Sequence, residues 1–240
     1  CIRDSNKAFP NLKQRFQDYL VDKSKTPLEV TIENPLNGDN ETFRLKGEDL
    51  ITVFTSASTG SVSEVPYEIN KLLKNDLSSV KEQLSNLFRE PGSGAGIGMR
   101  LSVWCAEEYP FDDQVIIQRE TVRYPQVAGL SPAVFDSAIC DIWSVQKVAD
   151  IENQAVKSET PVLLISGEYD NETPPKWAAN MTVNLTNSYH LIFRGWKHTP
   201  TTNWGNQCAM KAANDFFNSP DRPPVPDCLE EITTPKFRTE

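Results

Sequence analysis

Apolar positions recur every three or four residues near the start of the chain. Leu12, Phe16, Tyr19 and Leu20 share one side of a helix predicted over residues 11–22, opened by Pro10-Asn11. The period then changes to two. Leu28-Glu29-Val30-Thr31-Ile32 and Thr42-Phe43-Arg44-Leu45 alternate, and Asn34-Pro35-Leu36-Asn37-Gly38-Asp39 between them is turn chemistry, so a β-hairpin is predicted over 28–45. Residues 48–57 return to helical spacing through Leu50, Ile51, Val53 and Phe54. From Pro66 to Glu90 the apolar residues Ile69, Leu72, Leu73, Leu77, Val80, Leu84, Leu87 and Phe88 mark an amphipathic helix, broken near Asn75-Asp76.

The pattern changes after the glycine-rich run Pro91–Gly98, which reads as a hinge. Met99-Arg100-Leu101-Ser102-Val103-Trp104-Cys105 is predicted to be a strand. Val162-Leu163-Leu164-Ile165-Ser166-Gly167 is a nearly continuous apolar run, the pattern of a strand buried on both faces. A helix is predicted over Pro174–Val183, a further strand over Tyr189–Phe193, and a helix over 203–218 with Cys208, Ala209, Ala212, Ala213, Phe216 and Phe217 on its inner side. The Pro-rich tail from Pro220 to Glu240 should be irregular. Alternating strands and helices indicate an α/β sheet. Residues 1–98 are therefore expected to form a mostly helical region with one hairpin, and 99–240 an α/β part.

In open α/β sheets, reactive groups gather beyond the carboxyl ends of the strands. One strand runs out into Gly167-Glu168-Tyr169-Asp170, the other into Arg194-Gly195-Trp196-Lys197-His198. Alone, Asp170 reads as a turn or N-cap residue before the Pro174 helix, and His198 as a surface histidine. Together, each just after a strand, they point to a carboxylate that orients an imidazole for proton transfer. His190 lies within a strand and reads as structural.

Composition narrows the classes. Net charge is −9 over 240 residues, with a pI near 4.9 and a mean hydropathy of −0.46. No basic stripe supports a nucleic-acid partner, and no apolar run approaches the roughly 18 residues of a membrane span. No cysteine–histidine spacing suggests a metal, and no motif implies a cofactor; the run 92–98 precedes its predicted strand and lacks the Lys-Ser/Thr ending of a phosphate loop. The five cysteines admit two readings. They are buried free thiols, or they form two disulfides, Cys208–Cys228 stapling the tail and Cys105–Cys140, with Cys1 left over. The second reading needs a secreted or extracytoplasmic setting. Asn-x-Ser/Thr sequons stand at Asn40, Asn171, Asn180 and Asn184.

Val162-Leu163-Leu164-Ile165-Ser166-Gly167-Glu168-Tyr169-Asp170-Asn171-Glu172-Thr173-Pro174-Pro175 resembles the acid-bearing segment of the α/β-hydrolases that include prolyl aminopeptidases and tripeptidyl aminopeptidase-like (TAP-like) proteins. Gly98-Met99 through Tyr109-Pro110-Phe111, the tail from Cys208 to Cys228, and the opening Cys1–Pro10 are similar to other parts of that group. The resemblance implies a lid over 1–98 and the C-terminal half of the hydrolase core over 99–240. It implies Asp170 and His198 as acid and base, with peptide as the substrate of a serine aminopeptidase. Glu107 and Glu108 are its candidates for binding a substrate's free amino group; they otherwise read as a solvated acidic pair. Lys197 stands where the family usually carries Gly before its histidine. The resemblance also calls for a serine in a Gly-x-Ser-x-Gly elbow between strand and helix, which this sequence lacks. Ser93 has the wrong context, Ser166 lies on the acid's strand, and Cys208 follows the histidine. The chain alone is therefore expected to be inactive, completed by a nucleophile-bearing N-terminal half. The open sheet edge left without that half invites a homodimer. The alternatives are a non-catalytic peptide-binding module and an esterase on the same scaffold.

Overall fold

A computed structural model describes residues 7–55, 59–89, 96–127 and 137–240. The chain divides into two compact units, one of Asn11–Phe54 and Ile69–Gln154, the other of Thr55–Glu68, Ala155–Glu240 and the described part of Cys1–Pro10. Cys1 and most of the glycine-rich run, Ser93 included, lie outside the described residues.

In the first unit, α1 (Leu12–Lys25) leads into β1 (Leu28–Glu33) and β2 (Asn40–Leu45). These two strands form the expected antiparallel hairpin, with Leu28 opposite Leu45 and Glu33 opposite Asn40. Period-two alternation puts Val30 and Ile32 in the core. On the other face the Thr31 and Thr42 hydroxyls meet across the strands at 2.9 Å. The Asn34 side chain organises the turn, accepting the Leu36 N–H at 2.9 Å and donating to Glu41. Next come α2 (Gly47–Thr55), α3 (Val65–Leu72), of which Val65–Glu68 belongs to the other unit, and α4 (Ser78–Arg89). The predicted break between the last two is real: Asn75 takes φ 65°, and the Asp76 carboxylate accepts the Ser78 N–H at 3.0 Å to start α4. Leu20, Val30, Ile32, Leu45, Leu50, Leu72, Val80 and Leu84 form one buried cluster. Each such side chain contributes roughly 1.5–3 kcal/mol of burial free energy.

Residues 99–105 are not a strand. They belong to α5 (Ile97–Val103), which runs into a π-helical turn, Trp104–Glu108. The alternation of apolar residues was misleading, because Leu101 and Cys105 lie one helical turn apart and are buried, while Met99 and Val103 are exposed. Two later helices follow, α6 (Gln114–Arg123) and α7 (Ser137–Trp143). Asp113 caps α6 by accepting the Val115 and Ile116 N–H groups. A disulfide between Cys105 and Cys140 ties the π-turn to α7, and Trp143 Nε1 donates to Ser102 Oγ at 3.0 Å.

The second unit contains β3 (Val162–Gly167), α8 (Pro175–Met181), β4 (Ser188–Phe193) and α9 (Cys208–Asn218). The two strands are parallel neighbours in a two-stranded sheet, with Gly167 opposite Phe193. This strand–helix–strand–helix order is compatible with an α/β fold, although the described residues hold no full α/β-hydrolase sheet. Accordingly β3 is not buried on both faces: Val162–Ile165 are half-buried and only Ser166 and Gly167 are buried. On α9, Cys208, Ala209, Ala212 and Phe216 face inward, but Phe217 is 78% exposed. Adjacent helical residues are about 100° apart, so both phenylalanines cannot share the inner face. A core of Phe193, Trp196, Cys208, Ala209 and Ala212 joins β4 to α9, with Cys228, Leu229 and Ile232 of the tail packed on it.

Candidate active site

The two strand exits are stitched together by the backbone. Glu168 N–H donates to the Phe193 carbonyl at 2.9 Å, and Tyr169 N–H to the Trp196 carbonyl at 2.8 Å. The second exit turns sharply at Gly195, φ 74°, a left-handed conformation that costs a residue with a Cβ. Glu168 fixes this turn from the other strand, its carboxylate accepting the Gly195 N–H at 2.8 Å. Trp196 is buried against Phe193, ring centroids 4.9 Å apart. The loop carrying His198 is thus held by hydrogen bonds to β3's exit and by an aromatic anchor.

That arrangement brings Asp170 and His198 together. Asp170 Oδ2 lies 3.0 Å from His198 Nδ1, across 28 positions of sequence. The Asp170 side chain is almost wholly buried, whereas the His198 ring is one-third exposed. Three further donors hold the carboxylate. Oδ1 accepts the Glu172 N–H at 2.9 Å and the Thr173 N–H at 2.8 Å, and Oδ2 accepts the Thr173 hydroxyl at 2.8 Å. Burial pushes the Asp170 carboxyl up, but the hydrogen bonds from Thr173, His198 and Glu172 outweigh it and hold the group below its usual value. An ionised carboxylate is therefore fixed on the Nδ1 side of the ring. On the other side, Glu172 Oε2 lies 3.7 Å from His198 Nε2.

Lys197 donates its amine to the Thr55 carbonyl. Burial lowers its affinity for a proton, against the opposing pull of Glu172 and Asp170. His190 is on β4, its Nε2 2.9 Å from Ser166 Oγ, and burial lowers its proton affinity. Ser166 is thus partnered with His190 on the sheet. Glu107 and Glu108 are exposed residues of the π-turn in the other unit, and they follow a helix instead of the strand end expected for them. Cys208 and Cys228 form the second disulfide, so Cys208 is not a free thiol.

Thr173, Glu172 and Glu168 complete the surroundings of the pair, and sequence reasoning passed over all three. For Thr173 a signal existed: a hydroxyl three residues after an aspartate, just before Pro174-Pro175, has the spacing of a side-chain-capped turn. Nothing in the sequence signals that the Glu168 carboxylate reaches Gly195. Among the described residues no group of three His, Cys, Asp or Glu side chains could hold a metal ion. No helix there is long and apolar enough to cross a membrane.

Comparison with curated proteins found no match, and comparison with solved structures found none either. One family model does match, that described as TAP-like protein, over residues 128–228. The matched stretch contains β3, Asp170, α8, β4 and His198. Over residues 128–228 the chain is thus similar to the TAP-like protein family, consistent with the C-terminal region of a TAP-like α/β-hydrolase.

Proposed function

We propose that the chain is the lid and C-terminal core of an extracytoplasmic serine hydrolase, an aminopeptidase whose nucleophile lies outside these 240 residues. The observation that carries this reading is the 3.0 Å approach of Asp170 Oδ2 to His198 Nδ1 at the ends of two adjacent parallel strands. With Asp170 accepting the Nδ1 proton, Nε2 is free to take the proton of a serine hydroxyl as it attacks a carbonyl. It returns that proton to the leaving amine, and the acyl-enzyme is then hydrolysed by water. The serine would sit in a Gly-x-Ser-x-Gly elbow of the nucleophile-bearing half. The oxyanion hole would come from there too.

Within the same reading, α1 to α4 and the hairpin form the lid. The lid spans residues 1–98 and the C-terminal half of the core 99–240, with α6, α7 and most of α5 in the latter. Glu107 or Glu108 would receive the substrate's free amino group. The two disulfides fit an oxidising compartment. Among the described residues, strands β3 and β4 pair only with each other, which leaves edges for the missing half or for a second copy of the chain.

The test is labelling by a fluorophosphonate, which reacts with an activated serine. The protein that joins this chain to its nucleophile-bearing half should label, and its Asp170→Asn and His198→Ala variants should label at least a hundredfold more slowly. The 240-residue chain alone should stay unlabelled. Free-amino peptides should be cleaved and N-acetylated ones spared. A joined protein that binds peptides but never labels would favour the non-catalytic module, and preference for esters over free-amino peptides would favour an esterase.

A further inference from the structure

Thr173 has a place in the site that the pairing of Asp170 with His198 does not require. Two backbone N–H groups, of Glu172 and Thr173, hold Oδ1 of Asp170. That much is an ordinary side-chain-capped turn; the planar carboxylate turns about its broad terminal torsion as one piece, so the bonds to Oδ1 restrain Oδ2 as well. The Thr173 hydroxyl adds a third restraint, made to Oδ2 itself, the oxygen that faces the ring. Its Oγ1 is 2.8 Å from Asp170 Oδ2 and 3.1 Å from His198 Nδ1, closing a triangle with the 3.0 Å contact between those two atoms.

Proton counting gives the triangle a direction. An ionised carboxylate only accepts, and a hydroxyl has one proton to give and lone pairs with which to accept. The shorter hydroxyl contact goes to Oδ2, so the Thr173 proton is spent there and an oxygen lone pair faces Nδ1. Nδ1 then looks at two acceptors, Oδ2 and Oγ1, and must itself carry a proton. In the neutral ring this leaves Nε2 as the basic nitrogen. Thr173 is well suited to enforce this. It is β-branched, which restricts its χ1, and it precedes Pro174, which restricts its backbone.

We infer that Thr173 is a positioning residue, whose hydroxyl locks the Asp170 carboxylate against His198 and confines the imidazole proton to Nδ1. Its role in catalysis rests on the reading of Asp170 and His198 as acid and base; the proton placement itself does not.

Nitrogen-15 NMR of the intact chain tests this without turnover. There are two histidines, and His190, bonded to Ser166 on the sheet, serves as internal control. The wild-type chain should show a protected His198 Nδ1 proton. Thr173→Val keeps the shape and removes the hydroxyl, and Thr173→Ala removes it without any risk of a clash. Both should exchange the Nδ1 proton with water about tenfold faster or more, the scale of one lost hydrogen bond to a charged group. Thr173→Ser should restore protection, and the His190 signals should stay in place throughout. Protection retained in Thr173→Val, or lost equally in Thr173→Ser, would overturn the inference. Displaced His190 signals in both Val and Ala variants would also overturn it, since the hydroxyl would then be supporting the fold at large. A normal NMR result with no fluorophosphonate labelling of the joined protein would leave Thr173's role standing and remove the hydrolase reading.

Discussion

A Cβ added to Gly167 would overlap the backbone carbonyl of Lys197. The last residue of β3 therefore touches the main chain one position before His198, and the approach exists because Gly167 has no side chain. What it would strike is backbone held by the Tyr169-to-Trp196 hydrogen bond, not the yielding end of a flexible side chain. Gly167→Ala should push the His198 loop outward. The expected cost is about 1–3 kcal/mol, the usual scale of overpacking, read as a lower urea midpoint. The Nδ1 proton of His198 should lose protection in the same variant. A Gly167→Ala protein with an unchanged midpoint and an unchanged His198 signal would show that the loop accommodates the methyl group freely.

Asp170 makes stability depend on acid. Its folded-state affinity for protons is below that of the unfolded chain, where the value is about 3.9. The sign follows: the ionised group stabilises the fold fully above about pH 4 and loses that contribution as pH falls through the depressed folded value. Asp170→Asn keeps the size and cannot ionise. It should be less stable than wild type at pH 7, by on the order of 1–3 kcal/mol for hydrogen bonds to a charged group. The gap should narrow steadily below about pH 4. Urea unfolding of both proteins at several pH values measures it; a pH-independent gap would mean that the carboxylate's charge contributes nothing.

How much of this could be read from the sequence depends on range. The hairpin was legible because Val30 and Ile32 alternate with Glu29 and Thr31 around a turn rich in Asn and Gly. The break at Asn75-Asp76 was legible because short-range turn chemistry decides it. Asp170 and His198 were legible because each follows an apolar run long enough to be a strand. Residues 99–105 failed because their alternation satisfies either period over seven positions, and the deciding contacts come from Cys140 and Trp143, dozens of residues away. The grip of Glu168 on Gly195 and the overlap at Gly167 are consequences of how two strand exits lie side by side. No local pattern encodes them.

His190 should give a second, separate pH effect. Burial lowers its affinity for a proton, so the native state resists a charge that the unfolded chain accepts below about pH 6.5. Unfolding is then favoured as pH falls from about 6.5, and no contribution remains above it. Wild type should therefore lose more thermal stability between about pH 7.5 and 5.5 than His190→Gln, whose amide can still bond Ser166 Oγ but cannot ionise. Calorimetric scans of the pair decide this. Parallel decline of the two proteins over that interval would assign the acid sensitivity elsewhere.

The tail's hold on the second unit rests on Cys208–Cys228, which closes a loop of sequence separation 20. Past that bond the chain continues as a brace. Leu229 and Ile232 pack on the Phe193–Trp196 cluster, Pro235 fills the space above Gly195, and the Phe237 ring meets Tyr169 edge-on at 6.2 Å. Arg238 donates its N–H to the Ser63 carbonyl at 3.0 Å and lies over Tyr67 at 4.0 Å. Its ion pair with Glu64 at 3.1 Å is exposed and adds little. Most of the brace is therefore apolar cover for the turn that carries His198, and the disulfide sets the entropy of placing it. Replacing both cysteines by alanine should cost about 3 kcal/mol, or roughly 6–12 °C in melting temperature for a chain of this size. Limited proteolysis should then cut the tail first, between the two former cysteines or just beyond, because releasing the loop frees the segment that follows it. A double variant that melts like wild type and resists proteolysis would place the tail's anchorage in its apolar contacts alone.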